Sequence, residues 1–150
     1  MPVRYFEDFA AGQVFDLGSH EFTRDEIVDF AQRWDPQPFH LDEAAAGASA
    51  FGGLVASGWH TACVFMRLYV DALLLDAASM GSPGLQELRW LLPVRPGDVL
   101  RGTAHVTDVA PSSVRANRGT VSMRWEMHNQ RGELVAGMTG RGLFGRRPPG

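Results

Sequence analysis

Residues 57–77 read Ser57-Gly58-Trp59-His60-Thr61-Ala62-Cys63-Val64-Phe65-Met66-Arg67-Leu68-Tyr69-Val70-Asp71-Ala72-Leu73-Leu74-Leu75-Asp76-Ala77. The stretch predicts one long helix, apolar nearly all round. A helix without a polar face is a buried helix. In a chain of 150 residues, most of the remaining sequence must therefore wrap it. Phe51-Gly52-Gly53 breaks the chain just before it.

The wrapper is legible on both sides. Upstream, a strand is expected around Val14–Phe22. Thr23 and Glu26 then fit a capping box, each side chain positioned to satisfy a free amide of the first turn. Ile27, Phe30, Ala31 and Trp34 follow at the spacing of one apolar helical face. Pro36 disfavours helical geometry at Asp35, so this helix ends there. Asp35-Pro36-Gln37-Pro38-Phe39-His40 reads as a stiff, extended connector, and a short helix is expected from Asp42 through the alanines. Downstream, Leu88, Trp90 and Leu92 alternate before the turn Pro93-Val94-Arg95-Pro96-Gly97-Asp98. Val99–Val109 reads as a strand of mixed faces. Val121, Met123, Trp125 and Met127 alternate with Ser122, Arg124 and Glu126. After the turn Asn129-Gln130-Arg131-Gly132, Leu134–Phe144 is a further strand. Strands joined by short turns imply an antiparallel sheet. The expected architecture is α+β: a curved sheet of about five strands around one buried helix. Residues 1–150 form one domain on this reading, with loose ends at 1–5 and 145–150.

Composition narrows the function. Hydrophobic residues make up 45% and charged residues 21%, an ordinary globular balance. Fourteen basic residues, all arginine, face seventeen acidic ones, for a net charge of −3. That balance offers no footprint for nucleic acid or an anionic membrane. The absence of lysine excludes Schiff-base chemistry and a phosphate-loop lysine. The single cysteine, Cys63, allows no internal disulfide and reads as a small hydrophobe. The uncharged run Ala44–Met66 is broken by glycines, His60 and hydroxyls, so no membrane span is expected. The first residues lack the apolar run of a signal peptide, and a cytoplasmic location is expected. Five histidines show no metal-binding spacing, so no metal is expected. Gly52-Gly53 lacks the context of a nucleotide loop, and no GxSxG elbow occurs.

Two places can carry chemistry. Asp35 and His40 stand five residues apart across a proline-stiffened bend, where a carboxylate and an imidazole can converge on one water or substrate. The alternative is that Asp35 only ends a helix and His40 only caps the next. Gly58 opens the long helix, where free amides can bind an anion or a developing oxyanion. The alternative there is that the glycines only permit a tight turn and close packing.

Three segments occur in order: Asp35-Pro36-Gln37-Pro38-Phe39-His40, Phe51-Gly52-Gly53-Leu54-Val55-Ala56-Ser57-Gly58, and Leu88-Arg89-Trp90-Leu91-Leu92-Pro93-Val94-Arg95-Pro96-Gly97-Asp98. Together they resemble the MaoC-like dehydratases, which include the R-specific enoyl-CoA hydratases. The resemblance spans roughly Phe15–Phe144 and implies the hot-dog fold, a sheet wrapped around a central helix. Asp35, Pro38 and His40 match the family's hydratase motif. Gln37 stands where Asn is usual, Phe39 where a smaller aliphatic is usual, and Trp34 where a small residue is usual.

The resemblance implies reversible (R)-specific hydration of a trans-2-enoyl thioester of coenzyme A or an acyl carrier protein. It implies Asp35 and His40 as the acid–base pair. It implies a homodimer or higher homo-oligomer with sheets joined edge to edge. Coenzyme A enters only as part of the substrate, and no cofactor is implied. The Gly58 amide is the expected oxyanion donor. Ser57 is a helix cap beside the substrate, and Trp59 is either a core aromatic, like Trp90 and Trp125, or a wall of the acyl pocket. Fatty acid metabolism is among the pathways this activity would serve. The rival readings are a hot-dog acyl-CoA thioesterase and a non-catalytic thioester-binding subunit. The first acid within the long helix, Asp71, lies too far from its start to favour the thioesterase.

Overall fold

The computed structural model describes residues 2–150. Five antiparallel strands form one sheet: β1 (Val14–Glu21), β2 (Gly84–Trp90), β3 (Val99–Pro111), β4 (Arg118–His128) and β5 (Leu134–Gly145). Their spatial order is β1-β3-β4-β5-β2. The helices are α1 (Arg24–Trp34), α2 (Pro38–Leu41), α3 (Glu43–Gly47) and α4 (Gly58–Ala72). Helix α4 crosses the concave face of the sheet, the arrangement expected of a hot-dog fold.

The strict alternation in β4 does what its period demands. Val121, Met123, Trp125 and Met127 are buried, while Ser122, Arg124 and Glu126 face outward. From α4, Phe65 and Tyr69 pack against the Trp125 ring at centroid distances of 6.3 and 5.7 Å. Phe22, Ile27 and Leu100 close the core beside β1 and are fully buried. Gly18 lies in a bulge of β1 at φ 87°, a left-handed backbone that favours glycine.

Several local expectations need correction. The long helix ends at Ala72, not Ala77, and a 3-10 turn over Leu74–Asp76 follows it. That turn aims the Asp76 carbonyl at the Val3 and Arg4 amides, at 2.9 and 3.0 Å, an arrangement a continued helix would forbid. Nor is α4 wrapped all round. His60, Thr61, Phe65 and Tyr69 are buried, but Trp59, Cys63 and Met66 are exposed. An apolar period reports a wish for burial, and one sheet face can cover only one side of a helix.

In α1 the Thr23 hydroxyl accepts from the Glu26 amide, but the Glu26 carboxylate turns to His20 and leaves the capping box half made. Trp34 is 74% exposed, because the core side of α1 ends with Ile27 and Ala31. The connector after Asp35 is extended only through Gln37. Pro38 then starts the turn of α2, since proline suits the first helical position. The short helix expected from Asp42 is α3, and the Asp42 side chain, not His40, caps it. At the C-terminus, Arg147 pairs with Asp8 at 2.6 Å, so the tail lies against the N-terminal segment. No helix among the described residues is long and apolar enough to cross a membrane.

Ile27 is fully buried, and truncating it leaves a cavity that α1 cannot collapse into. Ile27→Ala is expected to cost roughly 2–5 kcal/mol. The check is urea unfolding: the midpoint falls while the slope stays unchanged.

Candidate active site

The site forms where α2, the start of α4 and the turn after β2 meet. The stretch Leu54–Ser57 runs between them, fully buried. Its amides are satisfied from both sides. Val55 N–H donates to the Phe39 carbonyl at 3.2 Å, and Ala56 N–H donates to the Val94 carbonyl at 2.8 Å. His40 Nδ1–H donates to the Val55 carbonyl at 2.6 Å. Arg95 Nη2 bonds the Phe51 carbonyl at 2.6 Å. The three motifs quoted from the sequence are thus joined by hydrogen bonds into one wall.

His40 is buried, and with Nδ1 committed to Val55 its Nε2 is the nitrogen left for chemistry. That Nε2 lies 3.2 Å from Asp35 Oδ2. Phe39 packs edge-on against the His40 ring at 4.5 Å, and against Phe51 at 5.1 Å. The bulky residue in the motif therefore braces the imidazole. Gln37 Nε2 donates to Asp35 Oδ1 at 2.7 Å, so the longer amide arm still reaches the carboxylate.

Burial pushes the Asp35 pKa up. Hydrogen bonds from Gln37 and Ser57 and the positive charge available on His40 outweigh it, and the net direction is below the ordinary carboxylate value. Asp35 is thereby held ionised beside the His40 imidazole.

Ser57 caps α4, its hydroxyl accepting from the Trp59 amide at 3.3 Å, while also serving Asp35. The Gly58 N–H occupies the first helical position, where no acceptor lies within the helix, and none is found among the described residues. The Trp90 indole sits over Gly58 so closely that any Cβ there would run into the ring. Close packing and a free amide are therefore both true of this glycine. Trp90 and Trp59 are not core residues, being 44% and 57% exposed. They meet edge to face at 5.1 Å and stand at the mouth of the site. Only Trp125 fulfils the core reading.

Asp35, His40, Ser57, Gly58 and Trp59 all line one cavity of about 490 Å³. Val55, Phe39 and Trp90 share in it, and sequence reading assigned none of them to it. For Trp90 the only available signal was its place within the third motif. Asp71 forms an exposed i,i+4 pair with Arg67 at 2.8 Å and has no part in the cavity. Among the described residues no group of three or more His, Cys, Asp or Glu is arranged to hold a metal.

A second cluster was also missed. His60, one turn into α4, is buried between Phe22 and Phe30, stacking on Phe30 at 4.9 Å. Its Nδ1 has no hydrogen-bond partner among the described residues. Its Nε2 lies 4.0 Å from the Glu26 carboxylate, which is engaged with His20 at 2.8 Å. Burial holds the His60 pKa below its ordinary 6.5, a fall that Glu26 only partly opposes. The unfolded chain then binds more protons than the folded one just below pH 6.5, so stability is full above that pH and falls as pH drops through this window. His60→Leu is expected to flatten this slope. Thermal melts of both proteins across a pH series check it.

Comparisons with known proteins agree with this geometry. A solved MaoC-like dehydratase from Rhodospirillum rubrum superposes with a TM-score of 0.89 at 45% identity, over 97% of this chain and 99% of that one. A solved (R)-hydratase from A. caviae, described as involved in PHA biosynthesis, superposes with a TM-score of 0.69 at 27% identity, over 94% and 99%. A 3-hydroxybutyryl-CoA dehydratase of Methylorubrum extorquens is 31% identical over 119 residues, covering 76% of this chain and 71% of that protein. The family described as the MaoC like domain matches residues 8–126, a span that takes in all three motifs and the whole of the cavity's acid–base wall. With fold, motif order and family match in agreement, the chain belongs to the MaoC-like dehydratase domain family.

Proposed function

We propose that this chain catalyses the reversible (R)-specific hydration of a trans-2-enoyl thioester, carried by coenzyme A or an acyl carrier protein. The observation that carries the reading is the Asp35–His40 pair, 3.2 Å apart, in the same cavity as the Gly58 amide. Hydration needs a base at the water, an acid at the α-carbon and a donor at the thioester oxygen, and these are the groups present.

Asp35 and His40 hold the water between them. As its oxygen bonds to the β-carbon, its proton passes to the pair. Electrons move from the alkene onto the thioester oxygen, giving an enolate. The Gly58 N–H, aligned with the positive end of α4, stabilises that charge, a contribution of about 3 kcal/mol to the barrier for such donors. The pair then returns a proton to the α-carbon as the carbonyl re-forms. Gln37 fixes the orientation of Asp35, and Gln37 and Ser57 help keep it ionised. The thioesterase reading lacks support: the first acid of α4, Asp71, is spent on Arg67 at the surface.

Asp35→Asn and His40→Gln are each expected to lower turnover by about 10²–10⁴-fold. Both should keep the wild-type circular dichroism spectrum. The assay is loss of enoyl absorbance from crotonyl-CoA and longer enoyl-CoA substrates, with a free-thiol reagent in the same cuvette. Thiol release would move the protein to the thioesterases. Full activity in either variant would remove that residue from the mechanism.

The functional unit we propose is a homodimer. Strand β2 is an edge strand with exposed residues on both faces, among them Leu85 and Trp90. Beside it, α4 presents Trp59 and Met66 to solvent. An open edge with an adjoining apolar face is a template for pairing with a second copy. Light scattering is expected to give about twice the chain mass of 16.4 kDa. A monomer at micromolar concentration would overturn the dimer.

A further inference from the structure

An enolate concentrates its charge on the thioester oxygen, and such an oxygen can accept more than one hydrogen bond. The Gly58 N–H supplies a single donor. Most other polar groups of the cavity are already engaged. Gln37 and Ser57 serve Asp35, and the Val55 and Ala56 amides donate to the Phe39 and Val94 carbonyls. The Trp90 indole N–H has no hydrogen-bond partner among the described residues.

Trp90 lines the same cavity. It ends β2 opposite Ala136 of β5, and the Leu91 amide that follows donates to the Val135 carbonyl at 2.8 Å. Its ring meets Trp59 edge to face. Backbone and ring are therefore both held in place by the fold. In a helix the Cα–Cβ direction leans toward the N-terminus, the end at which the first N–H groups are free. A Cβ on Gly58 would meet the indole there, with Nε1 2.8 Å away. A backbone nitrogen lies about 2.5 Å from its own Cβ position, so Trp90 Nε1 and Gly58 N are no more than about 5 Å apart. One oxygen placed about 2.9 Å from each accepts from both.

Resting on the hydratase reading above, we propose that the Trp90 indole N–H is a second donor to the thioester oxygen, beside the Gly58 N–H. The indole donates a hydrogen bond and keeps its proton, so Trp90 is a catalytic residue without being an acid or a base. The missing Cβ of Gly58 then has a purpose beyond packing. Any side chain there would push the second donor away from the first.

Two variants remove the N–H and leave an aromatic ring over Gly58. Trp90→Phe does so with a smaller ring. Trp90→3-benzothienylalanine, introduced by nonsense suppression, keeps the bicyclic shape and puts sulfur in place of the nitrogen. One readout is kcat for the enoyl-CoA that wild type hydrates best. The other is the pH at which bound acetoacetyl-CoA ionises to its enolate, followed by ultraviolet absorbance. That titration needs no turnover and reports charge on the oxygen. Both variants are expected to lower kcat by about 10²–10³-fold with KM little changed. Both should also raise the enolisation pH by about two units, the hundredfold loss read at equilibrium. A purely structural role would leave that titration where it is.

Hydration that both variants retain, with the enolate titration unmoved, would overturn the second donor and leave the hydratase intact. A shift in Trp90→Phe that the benzothienyl analogue does not share would assign the effect to ring shape and overturn the hydrogen bond. An enolate titration that both variants shift, in a wild type that hydrates no enoyl-CoA, would keep the donor and overturn the hydratase. A wild type that neither hydrates nor lowers the enolisation pH would overturn both.

Discussion

The buried stretch Leu54–Ser57 is the constraint on which the site depends. It has no strand or helix of its own to satisfy its backbone. Its amides and carbonyls must instead be met by groups distant in sequence: the Phe39 carbonyl, the Val94 carbonyl and the His40 imidazole. An unpaired polar group at such depth costs about 1–3 kcal/mol, so each partner is held firmly. One consequence is geometric. The segment that begins α4 is fastened to α2 on one side and to the turn after β2 on the other. The second is chemical. Because the Val55 carbonyl accepts from His40 Nδ1, the backbone decides that Nε2 is the nitrogen turned to Asp35.

Around that frame the site combines opposed influences on a single carboxylate. Burial alone would raise the Asp35 pKa, while Gln37, Ser57 and His40 lower it further than burial lifts it. Gln37 and His40 also fix its orientation. Gln37, on its longer arm, thus still brings an amide to the carboxylate. Phe39, the other departure from the family pattern, braces the histidine it precedes. Gly58 serves two demands at once. Only a residue without Cβ lets the Trp90 ring lie over the helix start, and that same position leaves an amide without an acceptor.

The half-covered helix links this site to the rest of the fold. Strand β2 returns to the sheet at its outer edge, beside β5, so α4 has β-structure beneath it and none above. Its apolar side chains that miss the sheet, Trp59 and Met66 among them, remain at the surface. The feature that first pointed to the fold therefore also marks the face that the sheet leaves open.

Much of this was legible in the residues alone. The period of Val121 to Met127, the cap at Thr23, the proline-limited end of α1 and the long apolar helix each follow from local stereochemistry. The spacing of Asp35 and His40, with the order of the three motifs, was enough to place five candidate residues that do share one cavity. Tertiary structure alone decided the strand order, the Trp90 ring over Gly58, the turning of Glu26 to His20 instead of its cap, and the burial of His60 without a partner for Nδ1. The physical reason is the reach of the signal. Periodicity and capping record how a residue relates to neighbours within a turn or a pleat. Which distant element covers a given face, and which carbonyl meets a given imidazole, is settled only when the whole chain competes to bury its surface and pair its polar groups.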